Sequence, residues 1–265
     1  MNFNEQKIER YARHIIMDEV GGVGQEKLLK SKVLVVGAGG LGSPILLYLA
    51  AAGVGTLGII DDDRVTLSNL QRQIIHTEGN LGNPKTESAV AAIRGLNSDI
   101  EVITYTERLN FNNAQNIITD YDLIADGSDN FNTRFLINDA CYLFRRTLVS
   151  GAILKFDGQL STFKAHESAS NPCYRCLHPE PPPPDLIPSC AEGGVLGAIA
   201  GTIGSLQAGE IIKEILGLQE SLAGKLIIYD ALSTTFRTVR VKPDPECKLC
   251  GNEASIKDLS IHNFS

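Results

Sequence analysis

A glycine-rich segment directly after an apolar run is the first feature of this sequence that could do chemistry. Residues 37–42 read Gly-Ala-Gly-Gly-Leu-Gly, which matches the pattern G-x-G-x-x-G, and its glycines are Gly37, Gly39, Gly40 and Gly42. These glycines permit a tight turn and a close approach to a ligand, and the helix that follows presents free N–H groups to phosphate. Asp61 ends the next apolar run, where a carboxylate can accept hydrogen bonds from ribose hydroxyls. On its own, the pattern is typical of NAD-dependent oxidoreductases.

Charged residues that hydride transfer does not need follow the same strand ends. The segments are Asp-Asp-Asp-Arg at 61–64, Ser-Asn-Leu-Gln-Arg-Gln at 68–73, Pro-Lys at 84–85 and Asp-Gly-Ser-Asp-Asn at 126–130. Arg72 and Lys85 are cations of the kind that hold a triphosphate. Asp129 can bind Mg²⁺, which usually takes one or two carboxylates together with phosphate oxygens. Together these residues predict an ATP–Mg²⁺ site rather than a dinucleotide site.

Two Cys-x-x-Cys pairs form a separate constellation. They are Cys173 with Cys176 and Cys247 with Cys250. Two such pairs can close a tetrahedral Zn²⁺ site, and because four thiolates leave no position for water, the metal would be structural. An iron–sulfur cluster and thiol redox chemistry use the same ligands and stay open as alternatives.

The two remaining cysteines differ in their setting. Cys190 precedes a predicted helix, whose N-terminus lowers a thiol pKa and favours reactivity. Cys141 lies among apolar helix residues, which is typical of a core position. His76, after the segment Leu-Gln-Arg-Gln-Ile-Ile, is expected to pack or cap rather than to catalyse.

The elements that must position these residues alternate along the first part of the chain. Strands are expected at 32–36, 56–60, 101–105, 123–125 and 147–150, with helices at 41–52, 84–96, 112–119 and 131–144. This alternation predicts an α/β fold: a doubly wound, mostly parallel Rossmann-like sheet with helices on both faces. Because ligands bind at the carboxyl ends of such strands, the charged segments and the glycines would meet at one sheet edge.

Beyond residue 151 strands and helices no longer alternate regularly, which predicts an extension of the sheet rather than a second domain. The expected parts are N-terminal helices at 5–30, a nucleotide-binding core at 31–165, a proline-containing mobile loop at 166–192, a helix with antiparallel strands and the zinc knuckle at 193–251, and a polar tail at 252–265. Within the last structured part we expect a helix at 195–216 and strands at 225–229 and 235–241. We therefore predict one domain over residues 1–265.

Composition excludes several classes of protein. The chain has 265 residues and a formal net charge of −7, so sequence-independent nucleic-acid binding, which depends on clustered Lys and Arg, is not expected. The first residues do not resemble a secretory signal, and glycines interrupt the uncharged run at 33–60, so no membrane span is expected. We expect a cytoplasmic protein with reduced thiols.

Together the motifs resemble the MoeB/ThiF/HesA family, the bacterial relatives of ubiquitin-activating enzymes. The matching segments, within residues 5–250, are GAGGLGSP, LSNLQRQ, NPKTESA, SDN, NPCYRCL and PSCAEGGVLG. The resemblance implies an adenylyltransferase that uses ATP to adenylate the C-terminal Gly-Gly carboxylate of a small ubiquitin-fold sulfur-carrier protein, releasing pyrophosphate. It also implies zinc at the four paired cysteines and a homodimer.

The resemblance further assigns roles to individual residues. Gly40 would approach the phosphates, Asp61 would bind the ribose, and Ser68, Asn69, Leu70, Gln71 and Arg72 would line the nucleotide, with Asn69 and Arg72 on phosphate. Lys85 would hold the phosphates, and Asp129 with Asn130 would complete the Mg–ATP site. Arg13 would reach across the dimer into the other protomer's site, where a guanidinium stabilises charge that develops on phosphoryl oxygens. Cys190 matches a cysteine that in some members bonds covalently to the carrier.

The carrier and the sulfur donor are less closely specified. The segment RQIIHTEGNLGNPKTESA favours the small subunit of molybdopterin synthase as the carrier, with the thiamine sulfur carrier as the alternative. Because no rhodanese-like domain follows residue 251, the sulfur would come from a separate protein. Two other classes stay open: an NAD-dependent oxidoreductase, which only the glycine pattern supports, and a non-catalytic, zinc-stabilised scaffold that docks a ubiquitin-like partner.

Overall fold

One eight-stranded sheet organises the protein in the computed structural model, which describes residues 3–183 and 193–263. The strands are β1 (Lys32–Val36), β2 (Thr56–Ile60), β3 (Glu101–Tyr105), β4 (Leu123–Asp126), β5 (Thr147–Leu154), β6 (Asp157–Phe163), β7 (Lys225–Asp230) and β8 (Thr235–Arg240). The helices are α1 (Glu5–Ile15), α2 (Gly21–Lys30), α3 (Gly42–Ala52), α4 (Lys85–Leu96), α5 (Ala114–Ile118), α6 (Phe131–Leu143), α7 (Tyr174–Leu177) and α8 (Gly197–Leu216). Short 3₁₀ helices lie at Leu67–Asn69, Glu78–Asn80 and Ser260–His262.

The strand order is β3-β2-β1-β4-β5-β6-β7-β8. The pairs from β3 to β5 are parallel, and those from β5 to β8 are antiparallel. After β1 the chain adds β2 and β3 on one side of this strand, and then β4 and β5 on the other side. Ligands of open α/β sheets bind at such a switch point. The predicted α/β class, with its N-terminal helices and antiparallel extension, is confirmed.

Helices cover both faces of the sheet because the central strands are apolar on both sides. All residues of β2 are buried, as are the last four of β1. One core packs α3, α4 and α8 against the sheet, and a second core packs α5 and α6 against the opposite face. The two layers hold the strand ends rigidly beneath the candidate site.

Two elements differ from the sequence prediction. Strand β5 runs on to Leu154 instead of ending at residue 150, because its second half pairs antiparallel with β6 after its parallel neighbour β4 has ended. Residues 174–177, expected in a mobile loop, form the helix α7, whose first two residues are buried. The division of the chain into parts within a single domain stays a prediction. In the described part of the chain, no helix has the length and apolar character needed to cross a membrane.

Candidate active site

The glycine segment makes a tight turn between β1 and α3. Gly37 has a φ of 93°, in the left-handed region that favours glycine, and its amide donates to the carbonyl of Ile60 at 2.9 Å. A Cβ on Gly42 would lie 1.9 Å from the carbonyl oxygen of Gly37. Only glycine therefore fits at residue 42, and its role is to let α3 pack closely against the turn.

Asp61 fastens this turn to the end of β2. One carboxylate oxygen accepts from the amide of Ala38 and the other from the amide of Asp63, each at 2.8 Å. Burial raises the pKa of Asp61, while the nearby charge of Lys85 and the two amides oppose that rise. The carboxylate thus shapes the glycine turn in addition to any contact with a ribose.

His76 is buried next to the turn and packs within the fold, as expected. Its Nε2 lies 2.9 Å from the carbonyl oxygen of Ala38, and its Nδ1 lies 2.8 Å from the hydroxyl of Ser88 on α4. Because a carbonyl can only accept, Nε2 carries the proton and Nδ1 accepts from Ser88. Burial, together with the charge of Lys85, lowers the pKa of His76, so the ring is neutral at neutral pH.

Two cations lie beside the glycine turn. Lys85, at the first position of α4, places its ammonium 2.7 Å from a carboxylate oxygen of Asp63. The alkyl chain of Arg72 packs along Gly40, and its guanidinium donates to the carbonyl of Ser68 at 3.2 Å. Both side chains line the same cleft as the glycine turn, whose backbone N–H groups can donate to phosphate.

A cleft of about 610 Å³ joins these residues at the carboxyl edge of the sheet. The predicted site residues that line it are Gly37, Gly39, Gly40, Asp61, Arg72, Lys85, Asp129 and Asn130. Those that do not line it are Gly42, Ser68, Asn69, Leu70 and Gln71. Asn69 instead caps its own 3₁₀ helix, because its side-chain oxygen accepts from the amide of Thr66 at 3.1 Å.

The floor of the cleft contains a buried ion pair that the sequence did not reveal. Asp126, at the end of β4, accepts from Arg134 Nε at 3.3 Å and from the hydroxyls of Ser128 and Ser150 at 2.6 and 2.7 Å. Arg134 also donates to the carbonyl of Ser128 at 3.0 Å. Burial disfavours the charge of Arg134, but Asp126 and Tyr174 together outweigh this effect and raise the pKa of Arg134. The pair fixes the turn that carries Asp129.

The cleft offers oxygen ligands for a divalent cation from two sides. Asp129 is exposed at its rim and makes no hydrogen bond or ion pair with another described residue. Across the cleft, Asp61, Asp62 and Asp63 each place a carboxylate oxygen within 4.8 Å of the others. Such oxygens are the ligands that Mg²⁺ takes together with phosphate. Asn130 is occupied otherwise, since its side-chain oxygen caps α6 by accepting from the amide of Thr133 at 2.9 Å.

Two further predicted site residues, Arg13 and Cys190, are not among the described residues that line the cleft. Arg13, on α1, is exposed and is not among the residues that line the cleft. Cys190 lies outside the described residues.

The four paired cysteines converge as the spacing predicts. The Sγ atoms of Cys173, Cys176, Cys247 and Cys250 have separations of 3.9, 3.6, 3.4 and 3.4 Å for the pairs 173–176, 173–247, 176–250 and 173–250. Four thiolates at a Zn–S distance of about 2.3 Å would have edges of about 3.8 Å. The donor set and its size therefore fit a closed, structural tetrathiolate site.

A buried ion pair joins this cysteine cluster to the core. Arg175, between the first two cysteines, donates twice to Asp139 of α6 at 2.7 Å, and His262 Nε2 lies 2.8 Å from the same carboxylate. The bidentate geometry gives both distance and orientation. The cysteine cluster is thus fixed against α6, whose first residues line the cleft.

Comparison with known proteins gives a consistent assignment. Residues 11–249 match the ThiF family. The chain is 48% identical, over 98% of its length and 95% of the other protein, to the SAMP-activating enzyme E1 of Haloferax volcanii. It is 46% identical, over 98% of its length and 96% of the other, to the sulfur carrier protein adenylyltransferase of Thermus thermophilus. It is 48% identical over 97% of its length to the adenylyltransferase and sulfurtransferase MOCS3 of Aedes aegypti, of which it spans only 58%.

Solved structures show the same fold at lower sequence identity. The E. coli protein MccB in complex with AMPCPP and MccA has a TM-score of 0.81 at 22% identity, covering 95% of this chain and 76% of that one. MccB in complex with ATP has a TM-score of 0.77 at 20% identity, covering 95% and 83%. These values show a shared fold.

Proposed function

The chain belongs to the ThiF family and is an adenylyltransferase, and we propose that it adenylates the C-terminal carboxylate of a small ubiquitin-fold sulfur-carrier protein. One observation carries this proposal: the glycine turn, Arg72, Lys85 and Asp129 line a single cleft at the switch point of the sheet. This is the equipment that a triphosphate with Mg²⁺ requires. An NAD site would not need these cations, and a docking scaffold would not need the cleft.

Adenylation requires the enzyme to position the carboxylate and ATP, and it does not require a general base. A C-terminal carboxylate, with a pKa of about 3.3–3.7, is already ionised at neutral pH and can attack the α-phosphorus directly. A bond forms between the carboxylate oxygen and that phosphorus, and the bond to the pyrophosphate breaks. Lys85 and Arg72 would stabilise the negative charge of the departing pyrophosphate. His76 takes no part, because its ring nitrogens are both engaged within the fold.

Mg²⁺, when bound, would supply further neutralisation of the phosphates. Asp129 is the residue that we propose as its ligand, because this carboxylate faces the cleft without a competing partner among the described residues. The buried pair of Asp126 and Arg134 would keep the turn before Asp129 in one conformation. Zn²⁺ at the four cysteines would stabilise the fold without entering the reaction.

The preferred carrier is the small subunit of molybdopterin synthase, and the thiamine sulfur carrier is the alternative. Two similar proteins, one named a sulfur carrier protein adenylyltransferase and the other a SAMP-activating enzyme, support a small protein as the substrate. We further propose that the enzyme is a cytoplasmic homodimer in which Arg13 serves the other protomer's cleft. The sulfur donor is proposed to be a separate protein, as in the sequence prediction.

Carrier-dependent ATP–pyrophosphate exchange tests this function. The purified protein is incubated with Mg–ATP, labelled pyrophosphate and one carrier at a time, including the molybdopterin and thiamine carriers. Exchange that depends on one carrier, and that disappears when its last glycine is removed, is the expected result. Exchange with none of the carriers would contradict the proposal, and binding of NAD in place of ATP would favour the oxidoreductase.

A further inference from the structure

Gln73 holds an unpaired polar atom beside the nucleotide cleft. The residue lines the cleft, yet only 4% of its surface is exposed. Its Oε1 is buried and accepts no hydrogen bond from any residue that the structure describes. An unsatisfied buried acceptor destabilises the fold, because it has lost its hydrogen bonds to water without gaining another partner. Because the unpaired oxygen is unfavourable, we expect the amide nitrogen of the same side chain to have a role that retains glutamine at this position.

The other amide atom points to the glycine turn. The nearest atom to a Cβ placed on Gly39 would be Gln73 Nε2, at 3.7 Å. The backbone of Gln73 is fixed on both sides, since its amide donates to Asn69 at 3.0 Å and its carbonyl accepts from His76 at 3.0 Å. Within the described chain, Nε2 itself makes no hydrogen bond. A donor is therefore held next to the turn without an acceptor among the described residues.

A second buried glutamine shows what a purely structural amide looks like. Gln207 of α8 also leaves its Oε1 unpaired, but its Nε2 donates to the carbonyls of Asp126 and Val149 at 2.9 and 3.3 Å. Those two bonds account for an amide at residue 207. Among the described residues, no side-chain hydrogen bond accounts for an amide at residue 73. A methionine of similar length would fill the space without an unsatisfied oxygen.

We propose that Gln73 is a nucleotide-binding residue, whose Nε2 donates to a phosphate oxygen of ATP at the glycine turn. The inference rests on the proposed function for the identity of the nucleotide. Arg72 and Lys85 supply charge to the same phosphates, whereas the amide supplies direction, since its N–H bonds have a fixed plane. Its unpaired Oε1 is the cost of keeping that donor in place.

Isothermal titration of ATP and of adenosine into the wild-type protein and into Gln73→Met tests this contact. Loss of one hydrogen bond to a charged group is expected to weaken ATP binding about tenfold to a hundredfold. Adenosine, which has no phosphate, should bind both proteins equally. The thermal midpoint of the ligand-free variant should equal or exceed that of the wild type, because the unpaired oxygen has gone. Gln115→Met, an exposed substitution of the same kind on α5, should change neither quantity.

Three results would overturn the inference. They are unchanged ATP affinity in Gln73→Met, an equal loss for adenosine and ATP, or a lower thermal midpoint of the kind expected for Gln207→Met. Gln73→Glu provides a second variant, since it keeps the size but removes the donor and adds a negative charge near phosphate. It should weaken ATP binding more than Gln73→Met does. Failure of the wild type to bind ATP would instead contradict the proposed function itself.

Discussion

The ammonium of Lys85 lies 2.7 Å from a carboxylate oxygen of Asp63, and the side chains are 6% and 66% exposed respectively. A buried ammonium without a counter-charge is costly, and an exposed carboxylate provides one at low cost. Since both residues line the cleft, a triphosphate that binds there can replace Asp63 as the partner of Lys85. Asp63 would therefore compete with the phosphates of a bound nucleotide for the lysine.

This competition predicts opposite effects for the two residues. Lys85→Met is expected to reduce carrier-dependent exchange by about a hundredfold or more, because a preorganised donor to developing charge is lost. Asp63→Asn removes the competitor and is expected to tighten ATP binding about two- to fivefold. Titration of ATP and the exchange assay measure both. If Asp63→Asn weakens ATP binding as Lys85→Met does, Asp63 is itself a ligand of the nucleotide or its cation.

Substitution of Asp129 should reduce activity without changing stability. Because its carboxylate is exposed and makes no described contact, Asp129→Ala is expected to change the free energy of unfolding by less than about 0.5 kcal/mol. The same substitution should abolish carrier-dependent exchange. Urea unfolding and the exchange assay are compared with Asp120→Ala, a control at an exposed carboxylate. Unchanged exchange in Asp129→Ala would remove this residue from the mechanism.

Arg13 should act only across a dimer. Arg13→Ala and Asp129→Ala are each expected to be inactive alone, because each homodimer lacks one component in both clefts. Mixing and re-equilibrating the two variants creates heterodimers with one intact cleft, which should restore about a quarter of wild-type exchange. Activity of the mixture no higher than that of its parts would contradict a role of Arg13 in trans.

The central sheet and its ligand edge could be predicted because their signals are local. The strands at 32–36 and 56–60 are apolar runs with Gly or Asp directly after them, and the structure has the same bounds. Extension of β5 to Leu154 could not be predicted, because it depends on pairing with β6 rather than on its own residues. The turn between β5 and β6 also places Lys155 at a φ of 53°, although lysine is not a residue type that predicts a turn.

The charged rim of the site followed from the position of strand ends, but its supports did not. Lys85 lies at the start of a predictable helix, and Asp129 lies in the turn that follows a predictable strand. Arg134 looks like a surface residue of a helix in the sequence, and only the fold buries it against Asp126. Gln73 belongs to the segment at 68–73, but the burial of its unpaired oxygen depends on the folded structure and has no signal in the sequence.

The cysteine cluster predicts a dependence of stability on metal. About one Zn²⁺ per chain is expected by elemental analysis, and a chelator should lower the thermal midpoint, because metal binding contributes directly to folding. Cys176→Ser should lose zinc and stability together. Cys141→Ala, at a buried cysteine outside the cluster, should retain its zinc. Less than about 0.5 equivalent in metal-replete protein would contradict a zinc site.

His76 predicts a loss of stability in mildly acidic solution. Burial, with the charge of Lys85, lowers the pKa of His76 below its ordinary value of 6.5. The unfolded chain therefore takes up a proton at a higher pH than the folded chain, so this histidine has no effect well above pH 6.5 and reduces stability as the pH falls below it. The slope it contributes is at most about 1.4 kcal/mol per pH unit.

Urea unfolding of the wild type and of His76→Gln, from about pH 8 to about pH 5.5, isolates this contribution. The variant is expected to be less stable at high pH, because the bonds to Ala38 and Ser88 are disturbed, but to lose less stability on acidification. His166 and His178, whose pKa values burial also lowers, and the cysteine cluster are present in both proteins and cancel in the difference. Parallel curves would mean that His76 has the same proton affinity in the folded and unfolded chains, contrary to its burial beneath the glycine turn.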